Sequence, residues 1–256
     1  MSDTPAKVWL ERDGALLRLR LARPKANLID APMIAALSAA FATHRGNPGI
    51  LAVLVDHEGP HFSFGASVEE HLPEQCEQML RSLHGLIGGM LEWPKPILMC
   101  VRGQCLGGGL EFAAAGHLMF LASDAQLGQP EMKLGVFAPA ASVLLPARIG
   151  QARAEDLLYS GRSIDAQTAL AWGLASQVVE DPAAAALEYF DKHLAEKSAA
   201  SLALAVRAAR APFGELARAR LSDVEALYMD KLMKTHDACE GLKAFVEKRR
   251  PKWEHR

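Results

Sequence analysis

The stretch from Pro96 to Glu111 constrains this chain more than any other. An apolar run, Pro96 to Val101, leads into Gly103-Gln104-Cys105-Leu106-Gly107-Gly108-Gly109-Leu110-Glu111. Three adjacent glycines propagate neither strand nor helix well, so a tight turn is expected here. A helix-like segment, Leu110 to Leu121, follows, although its end, Met119 to Ala122, also reads as a strand. Such a turn leaves the first amides of the helix without intrahelical acceptors, free to hold a bound anion or one that develops during a reaction. Glu111 stands beside those amides in an otherwise apolar run. A carboxylate there must be paired or titrate outside its usual range.

Around this stretch the chain alternates strand and helix signals. Val8 to Leu21 has a period near two with Asp13-Gly14 in its middle, which predicts a hairpin with strands Val8 to Arg12 and Ala15 to Leu21. Asp30 is placed to cap a helix with Pro32 in its first turn, running to about Thr43. Ile50 to Val55 and Ile97 to Val101 read as strands buried on both faces. Ser67 to Leu72 and Glu74 to Leu91 read as helices, and Ala125 to Leu127 and Gln177 to Val179 as short strands. Further helices are expected over Ala140 to Ile149, Ala152 to Ser160 and Ala166 to Trp172. From Pro182 onward the pattern is helical: one helix to about Lys197, then Ser201 to Ala211 and Gly214 to Lys234. The shift in composition near Ser198 divides a strand-containing core, residues 1–198, from a helical region, residues 199–256.

Several function classes fall away. The glycines fit neither a P-loop nor a dinucleotide fingerprint, and no Gly-x-Ser-x-Gly elbow occurs. His57 and His61 have metal-like spacing but are separated by Gly59-Pro60, which argues against a metal site. A net charge of −2 gives no electrostatic reason to bind nucleic acid or a membrane surface. The four cysteines, Cys76, Cys100, Cys105 and Cys239, read as free thiols of a reducing compartment. The polar start, Met1 to Lys7, lacks the apolar core of a signal peptide, so a cytoplasmic location is expected.

Three features remain: Phe62-Ser63-Phe64-Gly65-Ala66-Ser67, the triple glycine with Glu111, and Gly128-Gln129-Pro130-Glu131. Together they offer two sets of amides and two carboxylates. In order and spacing they resemble the crotonase (enoyl-CoA hydratase/isomerase) family over nearly the whole chain. Arg23-Pro24-Lys25-Ala26-Asn27 and the closing Phe245 to Arg250 are similar to further segments of that family. The resemblance implies an α/β fold, a spiral of ββα turns with a C-terminal helical region used for trimerisation, assembled as a trimer or a dimer of trimers. It implies an acyl-CoA thioester as substrate and no separate cofactor. It places oxyanion-hole amides at Ala66 and Gly108, acid–base carboxylates at Glu111 and Glu131, and CoA contacts at Lys25, Ser67, Val68 and Lys248. A thioester enolate stabilised by two preorganised amides, with a carboxylate pair holding water, suits addition or elimination of water.

Departures from the family pattern narrow the substrate. Ser67 stands where many members carry Asp, and Phe64 where they carry a small residue. Pro139, Ala140 and Ala141 replace a glycine-rich segment, adding bulk near Glu131 and stiffening a loop. Arg102 to Glu111 and Gly128 to Pro146 resemble the branch of the family that hydrates conjugated cyclic dienoyl-CoA thioesters. The rivals are a general enoyl-CoA hydratase, a ring-opening acyl-CoA hydrolase, and a non-catalytic acyl-CoA- or RNA-binding member.

Overall fold

A computed structural model describes residues 4–256; the polar start of the chain lies partly outside the described residues, at Met1 to Asp3. Strands β1 (Ala6–Glu11) and β2 (Leu16–Leu21) form the expected hairpin, antiparallel, with Arg12 and Asp13 at positive φ in its turn. Asp30 caps α1 (Ala31–His44) by accepting the Met33 amide at 3.1 Å. Next come β3 (Ala52–His57), α2 (Cys76–Leu91), β4 (Ile97–Val101), β5 (Gln104–Leu106) and α3 (Gly108–Ala115). They are followed by β6 (Leu118–Ala122), β7 (Gln126–Gly128), α4 (Pro139–Ile149), α5 (Gln151–Ser160), β8 (Ser163–Asp165) and α6 (Ala166–Ala171). Strand β9 (Gln177–Val179), α7 (Pro182–His193), α8 (Ala199–Asp230) and α9 (His236–Val246) complete the chain.

The strands divide between two sheets. Six of them take the order β1-β2-β3-β4-β6-β9, parallel after the first pair. The second sheet has the order β5-β7-β8, and Ser63 bridges to Cys105 beside it. Each turn of the chain therefore places one strand in the large sheet, a short extended piece in the small one, and then a helix. β4–β5–α3 is one such turn, and this is the ββα spiral. The central strands β3, β4 and β6 are near-continuous apolar runs because apolar clusters cover both faces of the sheet there.

Three expectations need correction. The helix expected to reach Leu121 ends at Ala115, because the extended Gly116 stops it and the His117 amide bonds to the Ile97 carbonyl at 2.8 Å. That bond draws the next residues into β6 beside β4. The two helices expected around Pro212 are one, α8. Pro212 is exposed, so water can satisfy the carbonyl it orphans, while Val206, Gly214 and Ala217 hold the other face to the core. Of the helix expected from Ser67 to Leu72, only a single turn, Glu69–His71, forms. Cys76, Cys100 and Cys105 are buried free thiols, and Cys239 is partly buried. Among the described residues no helix is long and apolar enough to cross a membrane.

Candidate active site

The first amide is set by a web of backbone bonds. Buried Asn27 donates to the carbonyls of Glu58 and His61 at 2.9 and 3.0 Å, tying the Arg23–Asn27 loop to the segment before Phe64. The Phe64 amide donates to the Ala26 carbonyl, and the Ile29 amide donates to the Gly65 carbonyl, both at 2.9 Å. Gly65 takes φ +106°, a conformation that favours glycine, and its amide donates to Ser63 Oγ at 3.0 Å. The peptide that follows presents the Ala66 amide.

The second amide comes from the triple glycine. Gly107 has φ +50° and donates to the Gly128 carbonyl at 2.9 Å, which joins the glycine turn to the loop bearing Glu131. Gly108 begins α3, so its amide has no intrahelical acceptor. The two amide-bearing turns touch: a Cβ on Gly108 would stand 3.1 Å from the Ala66 nitrogen, and one on Gly109 would stand 2.6 Å from Ser63 Cβ. Side chains at those positions would force the turns apart. The glycine run is thus a requirement of close approach as much as of backbone conformation.

Glu111 lies in the first turn of α3 and is 3% exposed. It accepts the Ala141 amide at 2.8 Å. Pro139, Ala140 and Ala141 are the first turn of α4. The residues expected to add bulk near Glu131 thus open the helix expected from Ala140, and its N-terminus also serves Glu111. Burial raises the pKa of Glu111, and the amides of α4 act in the opposite sense. Glu131 sits on a short 3₁₀ turn, Pro130–Leu134. Burial first, and then the Glu111 carboxylate, push its pKa up to about 8. The Gln129 carboxamide, 1% exposed, lies 3.0 and 3.1 Å from the two Glu131 oxygens. With Glu131 ionised, both its oxygens accept, and the satisfied orientation has the Gln129 nitrogen donating.

Both carboxylates, Ala66 and Gly108 line one chamber whose other walls are Leu80, Leu83, Val136, Phe137, Pro139 and Leu242. It encloses about 60 Å³. An outer groove of about 600 Å³ shares Phe64, Ala66, Val68, Pro130 and Leu134 with it and continues past Ser67, Lys133, Phe245 and Lys248. Ser67, Val68 and Lys248 thus line the groove. Lys25 does not; it is exposed on the loop that anchors Phe64. Lys133, Gln129 and the Ala141 amide were not singled out from the sequence. A proline at a helix start and a glutamine wedged between Gly128 and Pro130 were the signals that could have marked the last two.

The chain matches the family described as enoyl-CoA hydratase/isomerase over residues 11–256. It is 63% identical over 255 residues to a cyclohexa-1,5-dienecarbonyl-CoA hydratase of Thauera aromatica, covering 100% of this chain and 99% of that one. It is 30% identical to a carnitinyl-CoA dehydratase of Proteus mirabilis, covering 95% and 96% of the two chains. The crystal structure of an enoyl-CoA hydratase/isomerase from Pseudoalteromonas atlantica superposes with a TM-score of 0.86 at 26% identity, covering 97% and 99%. Spiral, paired amides and whole-chain likeness agree: the chain belongs to the enoyl-CoA hydratase/isomerase family.

Proposed function

We propose that this protein adds water to a conjugated cyclic dienoyl thioester, converting cyclohexa-1,5-diene-1-carbonyl-CoA to 6-hydroxycyclohex-1-ene-1-carbonyl-CoA. The observation that carries the reading is the meeting of two amides and two carboxylates in one apolar chamber. The likeness to the Thauera aromatica hydratase supports the ring as the acyl group.

The thioester oxygen is held between the amides of Ala66 and Gly108. Glu111 acts in its ionised form, which the α4 amides favour against the burial that raises its pKa, and removes a proton from water as the water oxygen bonds the ring carbon β to the thioester. Electrons move into the thioester oxygen and leave a dienolate, which each amide stabilises by about 3 kcal/mol. Protonated Glu131 gives its proton to the ring carbon opposite the new C–O bond, and the surviving double bond settles beside the thioester. Water supplies the hydroxyl and leaves one proton on Glu111, while Glu131 ends ionised. Proton exchange through the next water restores the pair. Every proton passes through water and these two side chains, so the step needs neither a metal nor a redox cofactor. Lys133 and Lys248 offer cations to the CoA phosphates at the outer groove. A trimer or dimer of trimers fits the family resemblance, and α8 leaves Leu204, Leu216 and Leu227 exposed for such an assembly.

The test is ultraviolet-monitored turnover of the cyclic dienoyl-CoA beside crotonyl-CoA. Loss of the diene band with crotonyl-CoA inert is the expected result. Turnover of crotonyl-CoA alone would make the protein a general enoyl-CoA hydratase, and inactivity on both would favour the ring-opening hydrolase. Glu111→Gln and Glu131→Gln are each expected to lower kcat by about 10²–10⁴-fold. If both stay within a few-fold of wild type, the carboxylate mechanism fails.

A further inference from the structure

One polar side chain of the chamber is not used by the mechanism above. His71 ends the short turn Glu69–His71, five residues after the Ala66 amide, and lines the chamber with both glutamates. Its Nδ1 lies 2.7 Å from the Ser67 carbonyl oxygen. A carbonyl only accepts, so Nδ1 carries the proton and Nε2 is left as a lone-pair acceptor. Among the described residues no group donates to Nε2. Burial lowers the pKa of the ring and keeps it neutral, which preserves that lone pair.

His71 is only partly buried and water reaches Nε2 in the open chamber, so a ligand that displaces that water must meet the acceptor itself or leave it unmet at a cost. The dienoyl ring is a hydrocarbon and has no donor to offer. The attacking water has two O–H bonds: one proton goes to Glu111, and the other stays on the oxygen and becomes the hydroxyl of the product. In a chamber walled by leucine, valine and phenylalanine that second O–H needs an acceptor. We infer, building on the proposed hydration, that His71 Nε2 accepts a hydrogen bond from the added oxygen, so that His71 positions the water for attack and recognises the ring hydroxyl of the product.

The inference separates hydroxylated from unhydroxylated ligands, so binding tests it without turnover. Dissociation constants would be measured for 6-hydroxycyclohex-1-ene-1-carbonyl-CoA and for cyclohex-1-ene-1-carbonyl-CoA, which has the same ring without the hydroxyl. His71→Leu removes the acceptor, and His71→Gln keeps one in a side chain of similar reach. His71→Leu is expected to weaken the hydroxylated thioester by about tenfold or more while leaving its partner within twofold, and His71→Gln to recover most of the loss. Equal weakening of both thioesters, or no change in their ratio, would overturn the inference. The outcome is independent of whether wild type hydrates the diene, which the turnover assay decides. Thermal melts of both variants identify a misfolded protein, and in that event His71→Asn replaces the affected variant in the same comparison.

Discussion

Replacing Gln129 by Met tests how the proton affinity of Glu131 is set. The carboxamide stands 3.0 and 3.1 Å from the two carboxylate oxygens, with its nitrogen the donor in the satisfied orientation. A hydrogen bond to a charged group contributes about 1.5–3 kcal/mol, and one pKa unit corresponds to about 1.36 kcal/mol, so losing this donor amounts to about one to two units. The donor stabilises the ionised form, so its loss raises the pKa of Glu131. In the proposed step Glu131 is the proton donor, with a pKa pushed up to about 8, so activity is expected to fall as pH rises through that value and the acid is lost. In Gln129→Met the alkaline limb of the kcat profile is therefore expected about one to two pH units higher, with the rate at neutral pH little changed. Methionine fills nearly the same volume, so the buried site keeps its packing. The assay is diene loss followed from about pH 6 to pH 10, within the range over which a group of this kind titrates. An unmoved limb would refute the donor. A limb moved to lower pH would mean that the carboxamide oxygen faces a protonated Glu131.

Two further substitutions probe the scaffold. Gly107→Ala places a side chain at φ +50° with its Cβ 2.5 Å from Glu131 Oε1. The backbone strain is about 1–2 kcal/mol, and displacement of the carboxylate is expected to cost kcat about 10²-fold. Melting curves beside turnover check that activity falls far more than stability. Gly241→Ala would drive a Cβ into the Leu134 carbonyl and to 2.9 Å from the Trp253 ring, lifting α9 from the Glu131 turn. A loss of about 1–3 kcal/mol by urea titration with a raised KM is expected; unchanged stability would show that α9 is not packed as described.

The spiral and the meeting of two amide turns with two carboxylates were legible because they depend on local signals. Glycines mark the turns, and Glu111 betrays itself as a charge in an apolar run. Asp30 and Pro32 announce a helix start that the structure places at Ala31. What stayed hidden depends on tertiary partners. β5 and β8 are only three residues each and exist because β7 lies between them. The helix after the triple glycine was overextended because Leu118 to Leu121 suits either element, and pairing with β4 decided for strand. Pro212 read as a helix end, yet an exposed proline on a helix held by its opposite face is tolerated. Gln129 and His71 are ordinary residues in sequence. Only the fold sets His71 in the chamber lining and Gln129 against Glu131.

The chamber wall built by Leu242 also has a consequence in time. Leu80 and Val136 form one apolar cluster with Tyr228, Met233, Ala238 and Leu242. A ribosome delivers the last strand of the large sheet, ending at Val179, well before α9 emerges. A chain halted between those points would own both glutamates and both amide turns. It would lack the cover that keeps them dry. In water the two carboxylates would fall back to ordinary acidity, near pKa of about 4.3, and the acid held ready in the finished protein would already have given up its proton. The nascent polypeptide is thus chemically silent until its final helix docks.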